Sequence, residues 1–113
     1  MEIFVFASNL GGRHGRGSAL EAFQSHGAIL GQGIGLQGRS YGIPTKSRDL
    51  KTLDISEIAV HVKTFLEFAK NHPEMTFRCV KIGCGLAGLS ESEMIPLFAG
   101  ASENVNLPDG WRT

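Results

Sequence analysis

Three glycine-rich stretches constrain this chain more than any other feature. Gly11-Gly12-Arg13-His14-Gly15-Arg16-Gly17 follows the apolar run Ile3-Phe4-Val5-Phe6, and Gly83-Cys84-Gly85-Leu86-Ala87-Gly88 follows Thr76–Ile82. Gly31, Gly33, Gly35 and Gly38 form the stretch between them. The chain holds 15 glycines in 113 residues, about twice the usual share of roughly 7%. A continuous apolar run suits a strand buried on both faces, as in a parallel sheet. Glycines placed after such a strand let backbone N–H groups turn toward a ligand, and a following helix adds the positive end of its dipole.

The remaining elements fit that frame. Ser18–Ser25 reads as a short helix, and Ser40–Pro44 as a short strand ended by its proline, with Thr45-Lys46 opening a polar loop. The clearest helix runs from Asp54 to Lys70. Asp54 and Glu57 have capping-box spacing, and Ile55, Ile58, Ala59, Val62, Phe65, Leu66 and Ala69 form a core-facing stripe. Thr76–Ile82 reads as a second core strand. Ser90 and Glu93 open a further helix to Phe98, and Asn104–Leu107 a last short strand. Strands alternating with helices predict a layered α/β domain spanning residues 1–113. A chain of this length can bury a core without disulfide or metal support.

Composition narrows the partners. Eleven basic residues balance eleven acidic ones, against a broad electrostatic grip on nucleic acid or an anionic membrane. No apolar run approaches membrane-spanning length, and the N-terminal residues show no leader pattern, so a cytoplasmic protein is expected. Cys79 and Cys84 have no second Cys/His pair at ligand spacing, so free thiols and no metal are expected, and nothing calls for a cofactor.

The candidate site residues fall on the loops. Asn9 offers donor and acceptor groups at a strand end, suited to ribose hydroxyls or to closing an Asx turn. Lys46 is a phosphate partner, an amine nucleophile or a solvated lysine. His14 either meets an anion or has no role. Cys84 is either a thiol activated by a helix N-terminus or a small filler of a tight loop. Both Gly83–Gly88 and Gly33–Gly38 match G-x-G-x-x-G, but only the former lies between a strand and a helix. No G-K-[ST] follows any glycine loop, which excludes a Walker-type triphosphate site. Only 25 residues follow Gly88, too few for the rest of a doubly wound dinucleotide fold.

Together these segments resemble a macrodomain, the ADP-ribose-binding α/β module. Phe6-Ala7-Ser8-Asn9 is similar to the macrodomain segment whose asparagine meets the distal ribose. Tyr41-Gly42-Ile43-Pro44-Thr45-Lys46 is similar to the strand and Thr-Lys pair of one macrodomain branch. That branch removes ADP-ribose from glutamate or from DNA bases. Val80–Gly88, continuing to Ile95-Pro96-Leu97-Phe98, is similar to that branch's diphosphate loop and the helix behind it. The chain also resembles small phage-related proteins.

The resemblance implies a three-layer α/β/α fold with a mixed, mostly parallel sheet. It implies a site taking an ADP-ribose-like nucleotide or an ADP-ribosylated macromolecule. Ser8, Asn9, Gly11, Gly12, His14, Gly15 and Gly17 would form the first ligand segment, with Thr45 beside it. Gly83, Cys84, Gly85, Leu86, Ala87 and Gly88 would wrap the diphosphate. Asn9 and Lys46 would carry any hydrolysis at the distal ribose. Ala87 stands where glutamate-linked hydrolases of the branch have an aspartate. A non-catalytic nucleotide-sequestering module and a phage structural protein with a degenerate pocket are the alternatives.

Overall fold

The computed structural model describes all residues, 1–113. Its centre is β1 (Glu2–Asn9), the apolar run seen in the sequence. Parallel partners flank it: β3 (Ser40–Lys46) on one side and β4 (Thr76–Cys79) on the other. β2 (Gly35–Gln37) lies antiparallel outside β3, and β5 (Val105–Asn106) lies parallel outside β4. The strand order is β2-β3-β1-β4-β5.

The run Ile3–Phe6 is apolar throughout because both faces of β1 are covered. Successive side chains point to opposite sides. Ile3 and Val5 join the larger core, beneath α2 (Ile55–Lys70), whose Ile58, Val62, Phe65 and Ala69 are buried. Phe4 and Phe6 join a smaller core with Ala19 and Ala22 of α1 (Gly17–Ser25). Helices on both faces of a mostly parallel sheet make the expected α/β/α layering. Each fully buried Phe or Ile contributes about 1.5–3 kcal/mol. No helix is long and apolar enough to cross a membrane.

Several boundaries differ from expectation, each for a physical reason. β3 is not ended by Pro44 but runs through it to Lys46. β2 pairs only as far as Gly42, so β3 has an open flank beyond that point, where a residue lacking an N–H is tolerated. Lys46 is therefore a strand residue held by neighbours: its carbonyl accepts from Leu10 N–H at 2.9 Å. β4 stops at Cys79 rather than Ile82, because Ile82 N–H bonds to Val80 C=O in a tight turn. The expected helix Ser90–Phe98 divides into α3 (Glu91–Met94) and a 3-10 turn, Ile95–Phe98. Pro96 lacks the N–H that would continue the α-helical ladder. The Ser90–Glu93 capping box is formed in both directions, but the Asp54 side chain makes no capping bond. Ile55, expected in the core stripe, is 40% exposed in the first turn of α2. The middle glycine stretch supplies β2.

Candidate functional site

Parallel strands end together, so β1 and β3 deliver Ser8-Asn9 and Thr45-Lys46 to one edge of the sheet, paired across it as Ser8↔Pro44 and Asn9↔Lys46. A cavity of about 570 Å³ opens there, the size range of small-molecule sites. The first loop and the N-terminus of α1 form one part of its wall, and the loop after β4 another.

The structure brings most of the expected residues together. Ser8, Asn9, Gly15, Gly17, Thr45, Lys46, Gly83, Gly85, Leu86 and Ala87 all line the cavity. Gly11, Gly12, His14, Cys84 and Gly88 do not. A Cβ on Gly12 would overlap the Gly31–Gln32 peptide, so this glycine lets two loops touch. His14 is buried; its Nε2 lies 2.8 Å from Ile29 C=O and its ring stands edge-on to Phe6. It faces the α1 side of the sheet rather than the cleft. The Cys84 thiol bonds Ile82 C=O, and burial, with the Glu91 carboxylate adding to it, pushes its pKa up. Of the two readings of Cys84, the geometry fits the small filler of a tight loop. Burial likewise pushes Cys79 up to about 12. None of the middle-stretch glycines lines the cavity.

Asn9 is committed in part. Its Nδ2 donates to Arg13 C=O at 2.7 Å and its Oδ1 accepts from Arg13 N–H at 2.9 Å. The Asx-type closure therefore exists, and one N–H and one acceptor direction remain for a ligand. Ser8 donates its hydroxyl to Gly33 C=O, and Thr45 donates to Ser8 C=O at 3.4 Å. These two hydroxyls tie the floor together.

Three cations converge on the cleft: Arg13, Arg16 and Lys46. None of them belongs to an ion pair, while the four pairs of the molecule lie elsewhere. No Asp or Glu lines the cavity. α1 adds to the positive field. Its N-cap is Arg16, with no side-chain capping bond and no acid in the first turn. α2 has Glu57 there, and α3 has a full capping box. The N–H groups at the start of α1 and its dipole are thus uncompensated beside the cavity, a setting that favours an anion. Arg13 and Arg16 were missed in the sequence because nothing local separates an unpaired arginine from a solvated one.

The third loop is held from two directions. Leu89 N–H bonds Gly83 C=O and Gly88 N–H bonds Gly85 C=O within it. Thr52 donates its hydroxyl to Ala87 C=O at 2.8 Å from the segment after β3. That segment is a tight hairpin: Ser47 N–H bonds Lys51 C=O at 2.8 Å and Leu50 N–H bonds Ser47 C=O at 3.0 Å.

No protein-family model and no curated protein matches the chain. Two solved structures from Bacteroides thetaiotaomicron share its fold. One, the crystal structure of a structural-genomics target, superposes with a TM-score of 0.61 at 16% identity, covering 94% of this chain and 87% of its own. The other, a protein of unknown function, gives 0.59 at 17%, covering 94% and 85%. At such identity the likeness concerns the fold.

Proposed function

We propose that the cleft binds a phosphate-bearing nucleotide of the ADP-ribose type. One observation carries this reading: three unpaired cations and the bare N-terminus of α1 meet exposed glycine backbone in one cavity that no carboxylate lines. Uncompensated positive charge beside a cleft is costly to assemble and is recovered when an anion enters. Backbone N–H groups that need no rearrangement suit a diphosphate, and Asn9 retains a donor and an acceptor for ribose hydroxyls. The macrodomain resemblance of the same segments supports the ribose-diphosphate form of the ligand.

Hydrolysis at the distal ribose would depend on Lys46, because no carboxylate or imidazole lines the cavity. The lining favours binding over a lysine–carboxylate mechanism. Calorimetry with ADP-ribose tests the proposal. Binding that weakens with salt is expected. Arg13→Ala should weaken it roughly tenfold, the loss of one charge-assisted contact, and Arg48→Ala, outside the cleft, should not. Absence of heat at millimolar ligand removes the nucleotide reading. Turnover of an ADP-ribosylated substrate that Lys46→Ala abolishes without loss of binding would identify a hydrolase.

A further inference from the structure

The cleft has a second chemistry that its cations do not account for. Leu50 and Leu86 both line it, and they are 43% and 59% exposed. Leu50 is also the one non-glycine residue of the chain at positive φ, at 63°. It occupies the left-handed position that closes the Ser47–Lys51 hairpin, a place where Gly or Asn fits without strain. Folding does not favour a leucine in that conformation. Strained residues of this kind persist at sites where the surroundings hold them for another purpose.

Leu86 belongs to the same rim. The Thr52–Ala87 hydrogen bond ties the stem of Leu50's hairpin to the loop that carries Leu86. On its other side, Leu86 Cδ1 lies 3.4 Å from where a Cβ on Gly17 would stand. Leu86 therefore reaches from the third loop toward the start of α1, next to Gly17. The arginines come from the first loop, and the leucines from the hairpin and the third loop.

We infer that Leu50 and Leu86 form an apolar platform against which an uncharged ring of the ligand lies, so that the cleft selects ring-bearing phosphoesters over inorganic or linear polyphosphates. This deepens the nucleotide reading and rests on it. A purely cationic cleft would hold any compact polyanion, whereas the platform adds affinity only for a ligand that also has an apolar face.

The test uses the whole chain with ADP-ribose and inorganic pyrophosphate as probes in calorimetry, alongside thermal melts. The wild type should bind ADP-ribose at least about tenfold more tightly than pyrophosphate. Leu50→Gly removes the side chain and relieves the backbone. Its thermal midpoint should hold or rise, its ADP-ribose affinity should fall roughly tenfold, and its pyrophosphate affinity should not change. Leu86→Ala, in an exposed loop, should show the same split between ligands and keeps the test valid if Leu50→Gly fails to fold. Equal loss for both ligands, no loss for either, or wild-type binding of pyrophosphate as tight as ADP-ribose overturns the platform and leaves the anion site standing. A wild type that binds neither ligand overturns the nucleotide reading and the platform with it.

Discussion

The first and third glycine loops look alike in sequence and are built for different ends. Each leaves a core strand and precedes a helix. In the first, Gly12 meets the middle stretch so closely that a Cβ would collide with the Gly31–Gln32 peptide, and Gly31 N–H bonds Gly12 C=O at 2.9 Å. Gly33, from that stretch, sits against the Asn9 carbonyl in the same way. In the third loop a Cβ on Gly85 or Gly88 would meet nothing within 4 Å, and one on Gly83 would meet mainly the flexible Met94 side chain. In the first loop Gly12 thus serves two chain segments that must touch, while Gly15, like Gly85 of the third loop, has open space beside the cavity. The first loop contributes charge, through Arg13 and Arg16. The third contributes backbone and one exposed leucine.

The sharpest way to break this contrast is to add one methyl group to each loop. Gly12→Ala should destabilise the fold by about 3–5 kcal/mol, since φ is +67° and the new Cβ has no room, giving a large drop in thermal midpoint. Gly85→Ala should change stability by less than about 0.5 kcal/mol while weakening ADP-ribose binding. If both variants melt alike, the division between packing and open glycines is wrong.

A smaller effect is expected from the tie between the hairpin and the third loop. Thr52→Val removes the bond to Ala87 C=O and should cost about 1 kcal/mol or less, the net worth of one hydrogen bond near the surface. Faster amide exchange in residues 83–89 with unchanged exchange in residues 9–17 would place the loss in the third loop alone.

The smallest effect is the response to acid. A hydrogen bond from Trp111 Nε1, 2.8 Å away, and then one from Lys81 hold the Glu91 carboxyl below its usual range. The Ser90 backbone and hydroxyl do the same for Glu93. A carboxyl depressed in the folded state adds stability above its unfolded pKa and loses it as pH falls through the folded value. Both groups stand at the start of α3, directly behind the third loop, and the first loop has no carboxylate. Amide shifts of Leu89 and Ser90 should therefore move as pH falls below the ordinary glutamate range, and Trp111→Phe should raise the midpoint. A midpoint unchanged in that variant would show that Trp111 does not set it.

Local patterns carried much of the architecture. The run Ile3–Phe6 specified a strand covered on both sides, and the stripe Ile58-Val62-Phe65-Ala69 specified the buried face of α2. Ser90 and Glu93 announced the start of α3. Ser8-Asn9 and Thr45-Lys46 stand out locally as polar residues at strand ends, and the pairing of β1 with β3 sets them side by side. Pro44 was misleading because its tolerance depends on how far β2 extends, which no local pattern states. His14 was misleading because its partner, Ile29 C=O, is fifteen residues away.

The sequence by itself determined the alternation of strands and helices, since periodicity and caps depend on near neighbours along the chain. Only the tertiary structure decided which glycines face another backbone and which face open space. A missing side chain reads the same in both settings, and the atom it makes room for lies in a distant segment. The same holds for charge and strain. Arg13 and Arg16 became a site only when folding placed no carboxylate near them, and Leu50 became informative only once its backbone angle and its place in the cleft were known.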